Sequence, residues 1–292
     1  MEKGYKVMDQ FEFVKDIEIV MDLLDSTEAE LAEMIGTSTM AFSRWRKGQN
    51  APSEALVEAF YDEAFRRGVR LNKIKEQLYR EECALPHHIL FHGSKSGITG
   101  QISVKKSKFS NDLGRGFYCG ESLEQSAMFV ANYPSSSLYI MDFDVTGLTG
   151  LTFGVEQDWM LLIAYFRGKL GGFEEHPTIK HLLDKIAGKD YIVAPIADNR
   201  MFEIIDSFIN GEITDVQCQH CLSATDLGKQ YVLTSDLATS HLQILRHCYL
   251  APAEKKFYLT AKEEDSRIGS DKVKLARRQY RNQGKYIEEI LK

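Results

Sequence analysis

Ile89-Leu90-Phe91-His92-Gly93-Ser94, followed after a loop by Asp112-Leu113-Gly114-Arg115-Gly116-Phe117-Tyr118, decides how this chain folds. Both stretches are short apolar runs bounded by Gly, Ser and Asp, which is the mark of strands. They place one histidine and one tyrosine on separate strands, each beside glycine. Similar runs recur at Leu138-Tyr139-Ile140-Met141, Tyr191-Ile192-Val193-Ala194 and Gln230-Tyr231-Val232-Leu233. Helical segments lie between them, around Leu123 to Ala131, Gln157 to Arg167, Met201 to Asn210 and Asp236 to Leu242, so an α+β domain is expected.

Working outward, the texture changes at Pro86. Upstream, Leu23, Leu24, Leu31, Ile35, Phe42, Trp45, Leu56, Phe60 and Leu71 recur at helical intervals with no strand signal between them. Downstream of Phe257 the chain turns polar and then basic, with Lys272, Lys274, Arg277, Arg278, Arg281 and Lys285, and closes on Ile287, Ile290 and Leu291. The expected division is an all-α domain over residues 1–86, the mixed domain over 87–258 and a C-terminal helix or tail over 259–292. For the basic stretch, a solvated helix face is the ordinary explanation.

The 292 residues are 43% hydrophobic, enough to bury an ordinary core. Met1-Glu2-Lys3-Gly4-Tyr5-Lys6 is not followed by a signal-like apolar region, and no run of about twenty apolar residues exists to span a membrane. A cytoplasmic protein without membrane contact is expected. Five cysteines, an odd number, fit reduced thiols better than a disulfide framework. Cys218-Gln219-His220-Cys221 lacks a second pair at zinc-ligand spacing, so buried thiols and no metal are expected there. Trp159 reads as core packing of a helix. A net charge of -6 excludes a chain coated all over by nucleic acid but leaves room for local basic patches.

Thr27-Glu28-Ala29-Glu30 has the capping-box form, so a helix begins there, carries Leu31 and Ile35 inward and stops at Gly36. Thr37 or Ser38 then caps a second helix running to Lys47 and ended by Gly48. Two helices about a tight glycine turn form the DNA-reading arrangement, and the stretch from Leu31 to Ser53 resembles the helix-turn-helix family of phage-repressor type. The resemblance implies that Phe42 and Trp45 sit in the core while Ser38, Thr39, Ser43, Arg44 and Lys47 face the groove or its phosphates. A bundle that only dimerises, docks on the mixed domain or receives a small antitoxin protein is the other reading. No Gln or Asn opens the second helix to read adenine, so the operator is not legible.

In the mixed domain, Gly93 beside His92 lets a planar group approach the backbone, and Tyr118 behind Gly114 and Gly116 offers a ring for stacking. Asp112 and Arg115 in the connecting turn suit ribose hydroxyls or a pyrophosphate. Taken singly, each residue also has a plain role: a core histidine, a half-buried strand aromatic, turn glycines. Together, Leu90-Phe91-His92-Gly93-Ser94, Asp112 to Tyr118 with the Glu124-Gln125-Ser126-Ala127 helix, Ala194-Pro195-Ile196-Ala197-Asp198-Asn199-Arg200 and Lys229-Gln230-Tyr231-Val232-Leu233-Thr234 resemble a bacterial domain family of poorly defined function, grouped with the ADP-ribosyltransferases of the histidine-tyrosine-glutamate class.

That resemblance implies a split β-sheet fold and NAD as co-substrate, without a metal. His92 would hold a ribose hydroxyl, Gly93 would clamp the nicotinamide amide and Tyr118 would stack on its ring; Ser94, Asp112, Arg115, Gly116 and Phe117 complete the expected NAD site. The third family position falls on Gln230 in place of glutamate. A neutral amide positions a hydroxyl but supplies no negative charge, which argues against polymer synthesis and leaves mono-transfer, NAD hydrolysis or inactive binding. Asp198 and Arg200 are candidates for the acceptor side, with helix capping as their plain role; Glu203 reads as solvated. The expected function is an NAD-dependent mono-ADP-ribosyltransferase, a toxin-like effector of a toxin–antitoxin or phage-defence system, acting on a protein or nucleic-acid acceptor. The alternative is a DNA-binding regulator whose second domain senses NAD or an ADP-ribose-like ligand without turnover.

Overall fold

The computed structural model describes residues 11–292 except 171, 225 and 226, and all their side chains but that of Asn199. The N-terminal hexapeptide therefore lies outside the described residues. The fold is α+β, with thirteen α-helices and one seven-stranded sheet among the described residues.

Five helices come first: α1 Phe13–Leu24, α2 Glu28–Met34, α3 Thr39–Arg46, α4 Glu54–Arg66 and α5 Leu71–Glu82. Their starts are written in the sequence. Thr27 closes a capping box with Glu30, accepting from the Glu30 amide at 3.3 Å while its own amide donates to the Glu30 carboxylate at 2.8 Å. Ser38 and Ser53 cap α3 and α4 in the same way. Gly36, at φ +75°, makes the left-handed step between α2 and α3 that a side chain resists. The apolar stripes meet in one core holding Phe13, Ile17, Leu31, Phe42, Trp45 and Phe60; each ring so buried contributes on the order of 2–3 kcal/mol.

The sheet strands are β1 His87–Ser94, β2 Phe117–Gly120, β3 Ser137–Asp144, β4 Gly150–Thr152, β5 Tyr191–Pro195, β6 Lys229–Leu233 and β7 Leu242–Cys248. Their order is β4-β5-β6-β2-β1-β3-β7, with only the β4–β5 pair parallel. β1 pairs β3 along eight residues, yet meets β2 in register only at Phe91 and Gly120. The sheet thus consists of two halves, β4-β5-β6-β2 and β1-β3-β7, joined at that row and open toward Ser94.

Between the strands run α6 Leu123–Val130, α7 Gln157–Phe166, α8 Pro177–Ile186, α9 Asn199–Ile209, α10 Asp215–Ser223 and α11 Asp236–Ser240; α12 Pro252–Gln279 and α13 Ile287–Ile290 follow β7. α6 covers one face of the β1-β3-β7 half, packing Leu123 and Ala127 on Phe91, Leu138 and Ile140. A second core centres on fully buried Trp159. On the opposite face Ile98 and Ile102 from the β1–β2 loop lie over Leu90, Cys119, Tyr139 and Met141.

β4, α8 and β7 fall outside the expected segments, and α12 crosses an expected boundary. β7 had no strand signal because Arg246, a charged residue in mid-strand, is turned inward. Its guanidinium meets Asp16 of α1 at 2.8 Å and pairs with Glu12, contacts about 230 positions away that no local pattern encodes. The 28-residue α12 runs straight through the expected division at 258, joining the last part to the mixed domain. Arg277, from the basic stretch, donates to Ser207 at 2.8 Å, and Ile287 and Leu291 enter the Trp159 core.

The helical unit is tied to the sheet by buried polar bonds. Asp16, fully buried, accepts from Tyr61 (2.7 Å), Lys75 (2.6 Å) and Arg246. Asn72 donates to the Tyr249 carbonyl and to both carboxylate oxygens of Glu254. Groups so buried are tolerated because each finds its partner across the junction.

Candidate functional site

The opening between β1 and β2 is where the chemistry collects. Above the Phe91–Gly120 row β1 and β2 are no longer in register, and the His92 imidazole bridges the gap: its Nδ1–H donates to Tyr118 O at 2.7 Å. Because Nδ1 carries the proton, Nε2 is left as an acceptor. Burial holds the His92 pKa below the ordinary imidazole value, with the bond to the Tyr118 carbonyl pulling the other way, so the ring is neutral near pH 7. The ring stacks on Phe117 at 4.5 Å and lies 6.4 Å from Tyr139.

Tyr118 points the other way. Side chains alternate along a strand, so with Phe117 against His92 the Tyr118 ring turns to the opposite face, against the Trp159 core. Its hydroxyl donates to Gly114 O (2.7 Å) and accepts from Leu113 N (3.1 Å), and burial raises its pKa. Asp112 and Gln230 share this face: Asp112 pairs with Arg167, and the Gln230 amide donates to Pro195 O at 3.1 Å and approaches Asp112 at 3.4 Å. The fold therefore brings Tyr118, Asp112 and Gln230 together and sets His92, Gly93, Ser94 and Phe117 along the split.

Gly93 is needed for packing. A Cβ there would lie 2.5 Å from the Ser126 carbonyl and 2.9 Å from Val130, so β1 and α6 meet through its missing side chain. Gly116 serves β2 and β6 likewise, against Val232 and Leu233. Ser94 is half-buried in register with Ser137, and Arg115 is exposed.

Residues 88–244, more than half of the chain, match the family model described as "Protein of unknown function (DUF3990)". The chain belongs to this family. No curated protein and no solved structure matches it.

The DUF3990 region runs from the second residue of β1 into β7, so the split and both of its walls lie inside it. Tyr139 and His247 are residues that sequence reading missed. They stack at 4.3 Å, His247 meets Phe11 at 4.4 Å, and the Tyr139 hydroxyl accepts from Ile98 N at 2.9 Å, pinning the β1–β2 loop beside His92. Only the β1–β3–β7 register places these rings in one row. Lys95, just past Ser94, sits over the exposed ring of Tyr133 at 4.6 Å.

At the other end of the DUF3990 sheet, Asp198 caps α9, accepting from Met201 N at 2.9 Å. Arg200 bonds Asp198 at 3.2 Å and the Ser266 carbonyl at 2.8 Å. Arg200 thus holds α9 to α12, while Asp198 caps α9 and orients Arg200. The thiols of Cys218 and Cys221 are buried against the carbonyls of Ile204 and Val273, and no His/Cys/Asp/Glu group among the described residues could hold a metal.

In the helical unit Phe42 and Trp45 are buried, and Ser38, Thr39, Arg44 and Lys47 are exposed with Ser43 half-exposed. Ser38 is partly occupied as the α3 cap. Arg46 is turned back onto Glu28 and Glu18. No helix among the described residues is long and apolar enough to cross a membrane.

Proposed function

We propose that the protein is an NAD-dependent mono-ADP-ribosyltransferase, a toxin-like effector working in the cytoplasm, with a helical DNA-binding unit at its N-terminus. The observation that carries this reading is the neutral His92 imidazole, held by the Tyr118 carbonyl at the split with Nε2 left to accept. An acceptor nitrogen suits a ribose hydroxyl, which must donate. Phe117 provides a flat wall beside it. In the reaction the C1′–N bond of NAD breaks and nicotinamide leaves with the bonding pair. A lone pair of the acceptor then closes on C1′, and the acceptor's proton passes to solvent. The chain's part is to fix the ribose and keep water off the face covered by Ile98 and Ile102.

Gln230 favours a second reading, a sensor that binds NAD or an ADP-ribose-like ligand without turnover. Its amide is committed to Pro195 O and Asp112 and offers no charge to a departing nicotinamide. One experiment separates the two. Purified protein is incubated with labelled NAD and cell lysate beside a His92→Ala control. Label transferred by the parent alone supports transfer; NAD binding without transfer or nicotinamide release supports the sensor, and no binding at all defeats both.

DNA binding rests on the exposed Arg44 and Lys47 at the C-terminal end of the Ser38-capped helix. Arg44→Glu with Lys47→Glu should abolish a gel shift on the protein's own promoter DNA; an unchanged shift would remove DNA from the proposal. Relief of growth inhibition by His92→Ala tests the effector role.

A further inference from the structure

The loop from Lys95 to Arg115 is the strongest unassigned feature of the surface. It carries five cations, Lys95, Lys105, Lys106, Lys108 and Arg115, against one acid, in a chain whose net charge is -6. That acid, Asp112, is already paired with Arg167. Lys105 has only a loose 4.0 Å approach to Asp236, both groups being exposed. Between these cations Phe109 is 52% exposed, its ring braced edge-on by Phe166 at 5.3 Å.

A run of lysines on a floppy loop would be an ordinary solvated surface. This loop is fixed. Ile98 N bonds the Tyr139 hydroxyl, Lys106 donates to the Thr99 and Gln101 carbonyls, Asn111 bonds Ser107 at 2.7 Å, and Leu113 N bonds the Tyr118 hydroxyl. Ile98 and Ile102 anchor it on the sheet face that carries His92. The backbone that carries the cations is therefore held in place, and so is the ring, before any partner arrives, which lowers the entropy cost of binding.

We propose that this loop, which joins the Ser94 end of β1 to the start of β2, docks a single-stranded nucleic acid at the open end of the split. The partner's chemistry follows from the combination: phosphates for Lys105, Lys108 and Arg115, and an unpaired base to stack on Phe109. A duplex keeps its bases stacked and has none to offer. That the docked strand is also the acceptor of ADP-ribose rests on the transferase reading; the docking does not.

The test is fluorescence anisotropy of labelled RNA and DNA strands of about 12 nucleotides. It uses the full-length chain carrying Arg44→Glu and Lys47→Glu, which silences the helical unit. Both strands should bind, and a preference for either names the source while supporting the proposal. Lys105→Glu with Lys108→Glu and Arg115→Glu should weaken binding tenfold or more and flatten its salt dependence, by about two units of log–log slope. Phe109→Ser should lose on the order of tenfold with the slope unchanged. Melting temperature and near-ultraviolet dichroism of each variant check folding; should the triple variant misfold, Phe109→Ser decides alone. Equal affinity in the folded variants overturns the proposal, as does failure of the parent to bind either strand at low salt, or binding of anionic phospholipid vesicles in place of oligonucleotides. Nicotinamide release is read in parallel: its absence alongside intact strand binding removes the transferase reading and leaves the docking surface standing.

Discussion

His92 and Tyr118 are joined through the Tyr118 main chain and parted by their side chains: the imidazole donates to the Tyr118 carbonyl at 2.7 Å, while the phenol turns to the other face and closes the turn at Leu113 and Gly114. The two residues thus have different work, one at the split and one under it. His92→Ala should abolish NAD binding measured by calorimetry while leaving the fold intact. Tyr118→Phe should leave that affinity unchanged and lower stability by about 1–2 kcal/mol in urea unfolding, because two turn bonds are lost. Loss of NAD binding in Tyr118→Phe with unchanged stability would mean that the hydroxyl touches ligand.

Gly93→Ala should be costly although it adds a single methyl. The new Cβ meets the Ser126 carbonyl at 2.5 Å, a backbone atom held in α6, so strand and helix must separate. A loss of about 1–3 kcal/mol is expected in denaturant melts. Stability equal to the parent's would show that α6 gives way freely.

Asp16→Ala leaves Lys75 and Arg246, 4% and 6% exposed, without their shared carboxylate. Stability should fall by about 3–5 kcal/mol. Since Asp16 links α1, α5 and β7, the unfolding transition should also separate into two, read by circular dichroism and tryptophan fluorescence together.

Burial depresses the His247 pKa from 6.5 to about 4. Below pH 6.5 the unfolded chain takes up a proton that the folded ring resists, so this contribution to stability is complete above pH 6.5 and is lost as pH falls toward about 4. His247→Phe keeps the stack on Tyr139 and should flatten the acid limb of a stability–pH curve. An unaltered limb would show that His247 does not govern it.

Glu254 acts in the opposite sense. Burial lifts its pKa from 4.5 to about 7 against the pull of Asn72, Lys75 and Arg70, so its contribution is full below pH 4.5 and is lost as pH rises through about 7. Glu254→Gln should remove that loss and narrow the difference in melting temperature between mildly acidic and mildly alkaline buffer. The same difference in variant and parent would exclude Glu254 as its source.

The sequence by itself determined the local events. Thr27 with Glu30, Ser38 and Ser53 mark helix starts because a cap is satisfied within three residues, and Gly36 marks the turn because its φ is positive. Phe42 and Trp45 were legible as core from helical periodicity, and the strands around His92, Tyr118, Tyr139, Ile192 and Val232 from short apolar runs between turn residues. Only the tertiary structure decided which of these meet. Strand pairing is non-local, so nothing near His92 announces that β2 leaves it at Gly120, that Tyr139 and His247 stand in its row, or that alternation turns Tyr118 away. For the same reason β7 was hidden: Arg246 looks like a surface residue until Asp16 and Glu12, from the far end of the chain, neutralise it. In the sequence the glycine of the His92-Gly93 pair reads as room for a planar group; that it is also the contact through which β1 and α6 pack is visible only where two elements touch.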